Sequence, residues 1–370
     1  MSLWRRASGI FKDQNSLCLV SFSRRTALRN PDIESLVIKS TCHNESSFDS
    51  RNIDRVCRWI RLSPLNLKPL LWSVSNRLEK TKSWVVALKG MYLMHNVINC
   101  MAPCVKEIGR LPFDLSNFND GHSSQAKTWY YNSFIRTYYA FLDQKSTLVF
   151  QHTEEKGYRM TMKQELVLLQ KLQALFDLLM QIKPQSGAAL NPLVLKAMDA
   201  IIIEVFDIYS RLCKGIAILL INIYSANKDE AIMSLKVVQK ATLQGEELSL
   251  YFDFCQEIRV VNASESPLID KVPKEGIQEL ENIIRGFSEK SDVDKGIPRK
   301  EDEKAIVAVT ENSKVGDNDK VCVRDGFRTI ITDKWVKFEE DLVHKNPFAS
   351  PLYNHSNVKV NQDLPDLITF

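Results

Sequence analysis

Glycine and proline are scarce in this sequence, and so are strand signals. Of 370 residues only 13 are glycine and 13 are proline. They fall mostly between periodic segments, which leaves little room for a turn-rich β fold. Long hydrophobic runs are missing too. The longest, IAILLINI at 216–223, is far short of the roughly 20 apolar residues a membrane span needs. The opening residues MSLWRRASGIFKD contain no apolar core of a secretory leader. The eight cysteines, at 18, 42, 57, 100, 104, 213, 255 and 322, lack the short even spacing of a disulfide framework. Together these absences predict a reducing, cytosolic setting and at most peripheral contact with a membrane. Charge of one sign is lacking as well: a net charge of +4 does not supply the concentrated basic face of a nucleic-acid binder, so nucleic acid is not expected as a partner. A local basic patch for an anionic surface remains compatible with it.

The remaining composition is that of a folded protein, with 44% hydrophobic and 25% charged residues. The length allows two domains, or one extended domain with a tail. Residues 1 to about 285 read as helical. In SWVVALKGMYLMHNVI (83–98), Trp84, Leu88, Met91 and Val97 or Ile98 recur at helical spacing. FIRTYYAFLDQKSTLVF (134–150) is a second amphipathic helix, and ELVLLQKLQALFDLLMQI (165–182) stops before Lys183-Pro184. Two long helices are expected over 193–224 and 228–258, joined at SANKDE. Such stripes must bury against neighbouring helices, which predicts a stack of antiparallel helices. After about Phe287 the sequence becomes charged and poor in large apolar residues, so 288–326 is expected to be a disordered linker and 327–370 a tail.

No catalytic constellation is apparent. There is no GxSxG, P-loop or GxGxxG motif, and no enzyme activity or cofactor is expected. Cys100 and Cys104 form CMAPC, but zinc needs four ligands and no CxxC or HxxxH partner is present, so buried helix-end thiols are the simpler reading. His95, on the apolar face of its helix, reads as a satisfied core histidine. The N-terminus is more informative. If 3–12 is helical, Leu3, Trp4, Ala7, Ile10 and Phe11 share one face, flanked by Arg5, Arg6 and Lys12. A basic amphipathic helix with Trp and Phe suits the headgroup boundary of an anionic membrane, the alternative being that Trp4 and Phe11 tuck into the core. Asn346, Pro347 and Phe348 form an NPF turn that would present Phe348 to a small apolar pocket.

Four stretches taken together resemble the ANTH domain of clathrin-assembly proteins, most closely the plant members. They are RLEKTKSWVVALKGMYLMHNVI (77–98), LPFDLSNFND (111–120), SFIRTYYAFLDQK (133–145) and LSLYFDFCQEI (248–258). VIKSTCH (37–43) matches the family's opening motif of lysine, small residues and histidine. The likeness runs from about residue 1 to 285. It implies an all-α superhelical solenoid, divided here as 1–150 for phosphoinositide binding and 151–287 for the later helices. It also implies binding of phosphatidylinositol 4,5-bisphosphate membranes and recruitment of the clathrin heavy chain at coated pits and vesicles of the plasma membrane and Golgi. Some relatives carry vesicle SNAREs. NPF motifs in endocytic proteins dock to EH domains, which makes such proteins expected partners of the tail.

The family grips phosphate with a lysine, nine residues, a lysine, any residue, a Lys or Arg, and a His or Tyr. In KSTCHNESSFDSRN (39–52) the first position is Lys39, with His43 inside the motif. The second falls on Asp49, the third on Arg51 and the last on Asn52. One basic position is therefore reversed. A carboxylate offers no donor to phosphate and repels it, while a basic residue at a membrane surface contributes about 1 kcal/mol. The substitution is expected to weaken the grip by about ten- to thirtyfold. Lys12, Arg24, Arg25, Arg29, Arg55 and Arg58 lie close by in sequence and are candidates to compensate. The competing reading is a helical interaction scaffold that has lost lipid binding.

Overall fold

The computed structural model describes residues 3–121, 125–151, 160–185, 191–265, 277–278 and 280–286. Every regular element among them is helical. The linker expected at 288–326 and the tail with Asn346, Pro347 and Phe348 lie outside the described residues.

The N-terminal helix α1 runs Leu3–Ser21, nine residues further than the apolar pattern predicts. DQNS interrupts that pattern, and Val20, buried at 4% exposure, lies on the opposite, inward face with Gly9 and Asp13. Helix α2 (Pro31–Ser40) starts sharply because Asn30 accepts a hydrogen bond from the Asp32 amide, Pro31 occupies the first turn, and Asp32 and Glu34 oppose the helix dipole. Helices α3 (Ser50–Leu62), α4 (Leu67–Glu79) and α5 (Trp84–Ile98) follow. Helix α6 spans Gln125–Gln151, beginning before the expected 134. Tyr131 in its early turns stacks on Trp84 with ring centroids 3.9 Å apart, so tertiary packing extends the helix there. Then come α7 (Met162–Met180), α8 (Pro192–Ile221) and α9 (Lys228–Glu257). Both α7 and α9 open with capping boxes, Thr161 with Gln164 and Asn227 with Glu230.

Packing follows chain order. Helix α2 contacts α1, α3 and α4; α5 contacts α6, α6 contacts α7, and α7 contacts both α8 and α9. This is the expected all-α stack of antiparallel helices, a solenoid in which each element buries its stripe against its neighbours. One apolar core runs through it from Ile33 to Leu280, continuous across the boundary expected at 150–151. Helix α5 is buried almost all round and forms its axis.

His95 is a satisfied core histidine. Its Nδ1 accepts from the Tyr138 hydroxyl at 2.7 Å, and its Nε2 donates to Glu204 at 3.1 Å, the tautomer that an ionised carboxylate requires. Lys145 pairs with Glu204 and donates to Asn99 Oδ1 at 2.6 Å, and Asn99 donates to Glu204 at 3.1 Å. This closed polar network ties α5, α6 and α8 together.

Candidate functional site

The stretch 39–52 forms the end of α2, a loop and the start of α3. Lys39 sits in the last turn of α2, where a cation suits the helix dipole. Its side chain is exposed and makes no hydrogen bond or ion pair among the described residues. Arg51, in the first turn of α3, is also exposed and unpaired among the described residues. Arg55 and Arg58 follow it one and two turns on, both exposed, so the outer stripe of α3 carries three guanidinium groups.

Asp49 and Asn52 have a different task. Asp49 is the N-cap of α3: its Oδ1 accepts from the Asn52 amide at 3.1 Å and its Oδ2 from Asn52 Nδ2 at 2.6 Å. A helix N-terminus is a natural seat for an anion, and here the chain's own carboxylate sits in it. The reversed charge at position 49 therefore has a structural reason. Asn52 spends its amide on Asp49, leaving Lys39 and Arg51 as the free cations of the motif.

His43 turns away from them, towards α1. Its backbone amide and its Nδ1 reach the two oxygens of Asp13 at 2.8 and 2.9 Å. Arg77 of α4 donates to Asp13 Oδ1 at 2.5 Å and to the Thr41 hydroxyl and carbonyl at 2.9 Å each. Burial pushes the Asp13 carboxyl up, but the hydrogen bonds from His43 and Arg77 outweigh it and hold it below the usual carboxylate range. Asp13 thus brackets α1 to the α2–α3 loop and to α4. Nothing in the sequence marked this bracket, since its members are 30 and 64 residues apart. Gly9 is the second requirement: a Cβ there would stand 2.7 Å from His43 Cβ, so only glycine allows so close an approach.

Several apolar side chains of α1, and Phe22 just beyond its end, are exposed. Ile10 is 54% exposed, Phe11 69%, Leu19 64% and Phe22 82%. Phe11 does not tuck into the core, and Lys12 is exposed beside it. Trp4, Arg5 and Arg6 belong to the first turns of α1, and their side chains lie outside the described residues.

The remaining candidates are structural. No group of three or more potential metal ligands forms among the described residues. Cys100 and Cys104 are buried, and Cys100 pairs with Cys57 rather than with Cys104: a hydrogen bond from Cys57 draws the Cys100 thiol down to about 6 and pushes the Cys57 thiol up. No described helix is long and apolar enough to cross a membrane.

The family model of the ANTH domain matches residues 32–286. The chain belongs to the ANTH-domain family. Two Arabidopsis thaliana proteins bearing the name "Putative clathrin assembly protein" are 43% and 41% identical to it, each over the whole length of both chains. A third of the same name and organism is 36% identical over 79% of this chain and 84% of its own. The ANTH match begins at α2, so α1, with its exposed aromatic face and polar bracket, precedes the matched residues.

Proposed function

We propose that this ANTH-domain chain is a peripheral membrane adaptor of clathrin-coated vesicle budding. The observation that supports it most is full-length similarity to proteins named for clathrin assembly. Recognition carries the function, with no chemical step. Residues 1–150 hold phosphoinositide headgroups, chiefly phosphatidylinositol 4,5-bisphosphate, through Lys39 and Arg51, helped by the Arg55 and Arg58 stripe. Helix α1, through Phe11 and Lys12 together with Trp4, Arg5 and Arg6 of its first turns, rests on the headgroup boundary. Residues 151–287 offer helical surfaces to partners such as the clathrin heavy chain or vesicle SNAREs, and Asn346, Pro347 and Phe348 engage EH-domain proteins. Plasma-membrane and Golgi coated pits and vesicles are the expected sites of action.

Co-sedimentation with phosphatidylcholine vesicles containing phosphatidylinositol 4,5-bisphosphate tests the lipid part. Wild type should pellet, and Lys39→Glu/Arg51→Glu should bind about tenfold more weakly or worse. Equal binding by both would remove the role of Lys39 and Arg51. The second reading, a scaffold without lipid binding, is favoured by one observation, the seating of Asp49 at the α3 N-terminus. It predicts no pelleting of wild type and salt-independent capture of a coat protein.

A further inference from the structure

Three cysteines gather where α3 packs against the end of α5. Cys57 lies on α3, Cys100 follows the last turn of α5, and Cys104 sits in the short turn Pro103–Glu107. All three belong to one apolar core, at 5%, 7% and 4% exposure, and all three are free thiols. Cys57 and Cys100 are far apart in sequence, so only the packing of α3 against α5 brings them together.

The three sulfurs have different tasks. Cys104 donates its S–H to the Ile60 carbonyl at 3.9 Å, and burial pushes its thiol up. Cys57 donates its S–H to the Cys100 sulfur. Two further donors converge on that same sulfur, the Ala102 amide and the guanidinium of Arg61, one turn beyond Cys57 on α3. Met101, between Cys100 and Ala102, has a φ of 59°, a left-handed conformation that a methionine rarely adopts. It turns the chain back so that the Ala102 amide faces Cys100. Such strained residues collect at functional sites, and three donors around one sulfur make a seat for a thiolate.

The other thiols supply the contrast. Burial pushes Cys213 and Cys255 up to about 12, as befits inert thiols in apolar surroundings. At Cys100 the hydrogen bond from Cys57, joined by Ala102 and Arg61, outweighs burial and draws the thiol below its ordinary value. A thiolate is the nucleophilic form of cysteine, and here a second thiol already stands within hydrogen-bond reach of it. The pair also lies near the surface. Met101, next to Cys100, is 94% exposed, and Arg61 is exposed as well. A peroxide, with two oxygen atoms, is small enough to enter there.

We propose that Cys57 and Cys100 form a reversible oxidation site, at which a peroxide converts the thiol pair into a disulfide between α3 and the loop that follows α5. The Cys100 thiolate attacks one peroxide oxygen. An S–O bond forms, the O–O bond breaks, and the departing hydroxide takes a proton from solvent to become water. Cys100 is then a sulfenic acid, oxidised by two electrons, and the peroxide is reduced. The Cys57 sulfur attacks the Cys100 sulfur, the S–S bond forms, and the S–O bond breaks. The hydroxide leaves with the Cys57 proton as a second water. An external dithiol reverses the change by exchange. In the reduced chain the two thiols fill the core; in the oxidised chain they staple α3 to the α5 end, and Arg61 loses its acceptor. Disulfides of reducing compartments are usually transient and redox-sensing, which suits a pair found here as free thiols. The proposal does not depend on the lipid-binding reading.

Peptide mapping by mass spectrometry tests the site. The full chain is reduced, exposed to a small excess of hydrogen peroxide at neutral pH, and blocked with an alkylating reagent before digestion. A Cys57–Cys100 linked peptide pair should form before the exposed Cys18 changes, and dithiothreitol should remove the link. Cys57→Ser should stop at the Cys100 sulfenic acid, which a cyclic dione traps. Cys100→Ser should leave Cys57 as a thiol. Arg61→Ala alters an exposed side chain and should slow formation of the link severalfold, with circular dichroism checking that each variant is folded. The proposal is overturned if Cys18 reacts first while Cys57 and Cys100 keep their thiols, as an inert buried pair would. It is equally overturned if Cys100 is oxidised without linking to Cys57, or if the disulfide joins other cysteines.

Discussion

Two carboxylates show how a single residue is committed by its surroundings. Asp49 is a helix cap first and an obstacle to phosphate second. Asp49→Lys removes the cap, which costs about 0.5–2 kcal/mol, and should lower the melting temperature by a few degrees. The same change places a cation between Lys39 and Arg51 and should tighten vesicle binding. A variant that melts as wild type does would mean that the Asn52 bonds carry no stability. Glu204 is committed inside the core. Burial pushes its carboxyl up, but the charge of Lys145 and the hydrogen bond from His95 outweigh it and hold the pKa well below the usual range. Glu204→Ala leaves Lys145 buried without its partner and should cost about 3–5 kcal/mol, read from urea unfolding. His95 titrates in the same network, and burial holds its pKa below the ordinary histidine value. The unfolded chain binds a proton near pH 6.5 that the folded chain refuses, so stability falls as pH drops below about 6.5. The Glu204 contribution, present above about pH 4, is lost on further acidification. Urea midpoints at pH 7 and pH 5 should therefore differ, and less so in His95→Gln; an equal difference in both proteins would place the titration elsewhere.

At the scale of elements, α1 stands apart from the other helices. Its buried groups in the described part are Gly9, Asp13 and Val20, so a polar bracket rather than an apolar stripe holds it. Helices with few buried apolar contacts open locally at low free-energy cost. Backbone amides of α1 should exchange fastest among the described helices, and Asp13→Asn should speed them further. Its folded pKa is depressed, so the Asp13 bracket is intact above the ordinary carboxylate range and loosens as pH falls through it. The outward face can be tested without disturbing the fold. Phe11→Ser/Phe22→Ser removes two exposed rings and should leave the melting temperature unchanged. Each apolar side chain buried in the headgroup region contributes up to about 1.5–3 kcal/mol, so vesicle affinity should fall by at least about tenfold. Undiminished pelleting would show that α1 does not touch the bilayer.

For the whole molecule, modest contacts act together. A basic stripe on α3, the apolar edge of α1 and a short motif in the tail would each bind weakly, and their linkage on one chain multiplies residence at a membrane. Exposed charges are screened by salt, so vesicle binding should weaken steeply between low and physiological ionic strength, with a shallower slope in Lys39→Glu/Arg51→Glu. Salt-independent pelleting would assign the attachment to apolar contact alone. Phe348→Ala should abolish capture by an EH domain and leave pelleting intact.

Helical periodicity by itself determined most of the architecture. Trp84, Leu88 and Met91 recur with the helical repeat and mark α5 as a helix, whereas its burial almost all round was decided by the helices stacked on it. The same local logic placed Lys39 and Arg51 at helix ends and His95 in the core, because a helix end and a histidine among apolar neighbours are properties of a few adjacent residues. Tertiary structure decided the rest. That Asp49 caps α3 depends on where the helix starts, which the sequence marks only within a few residues. That Asp13, His43 and Arg77 meet, that Glu204 serves both His95 and Lys145, and that Cys57 and Arg61 meet Cys100 all depend on how separate helices stack. A charge in a linear sequence carries its sign but not its partner, and it is the partner that turns a surface residue into a cap, a bracket or part of a binding site.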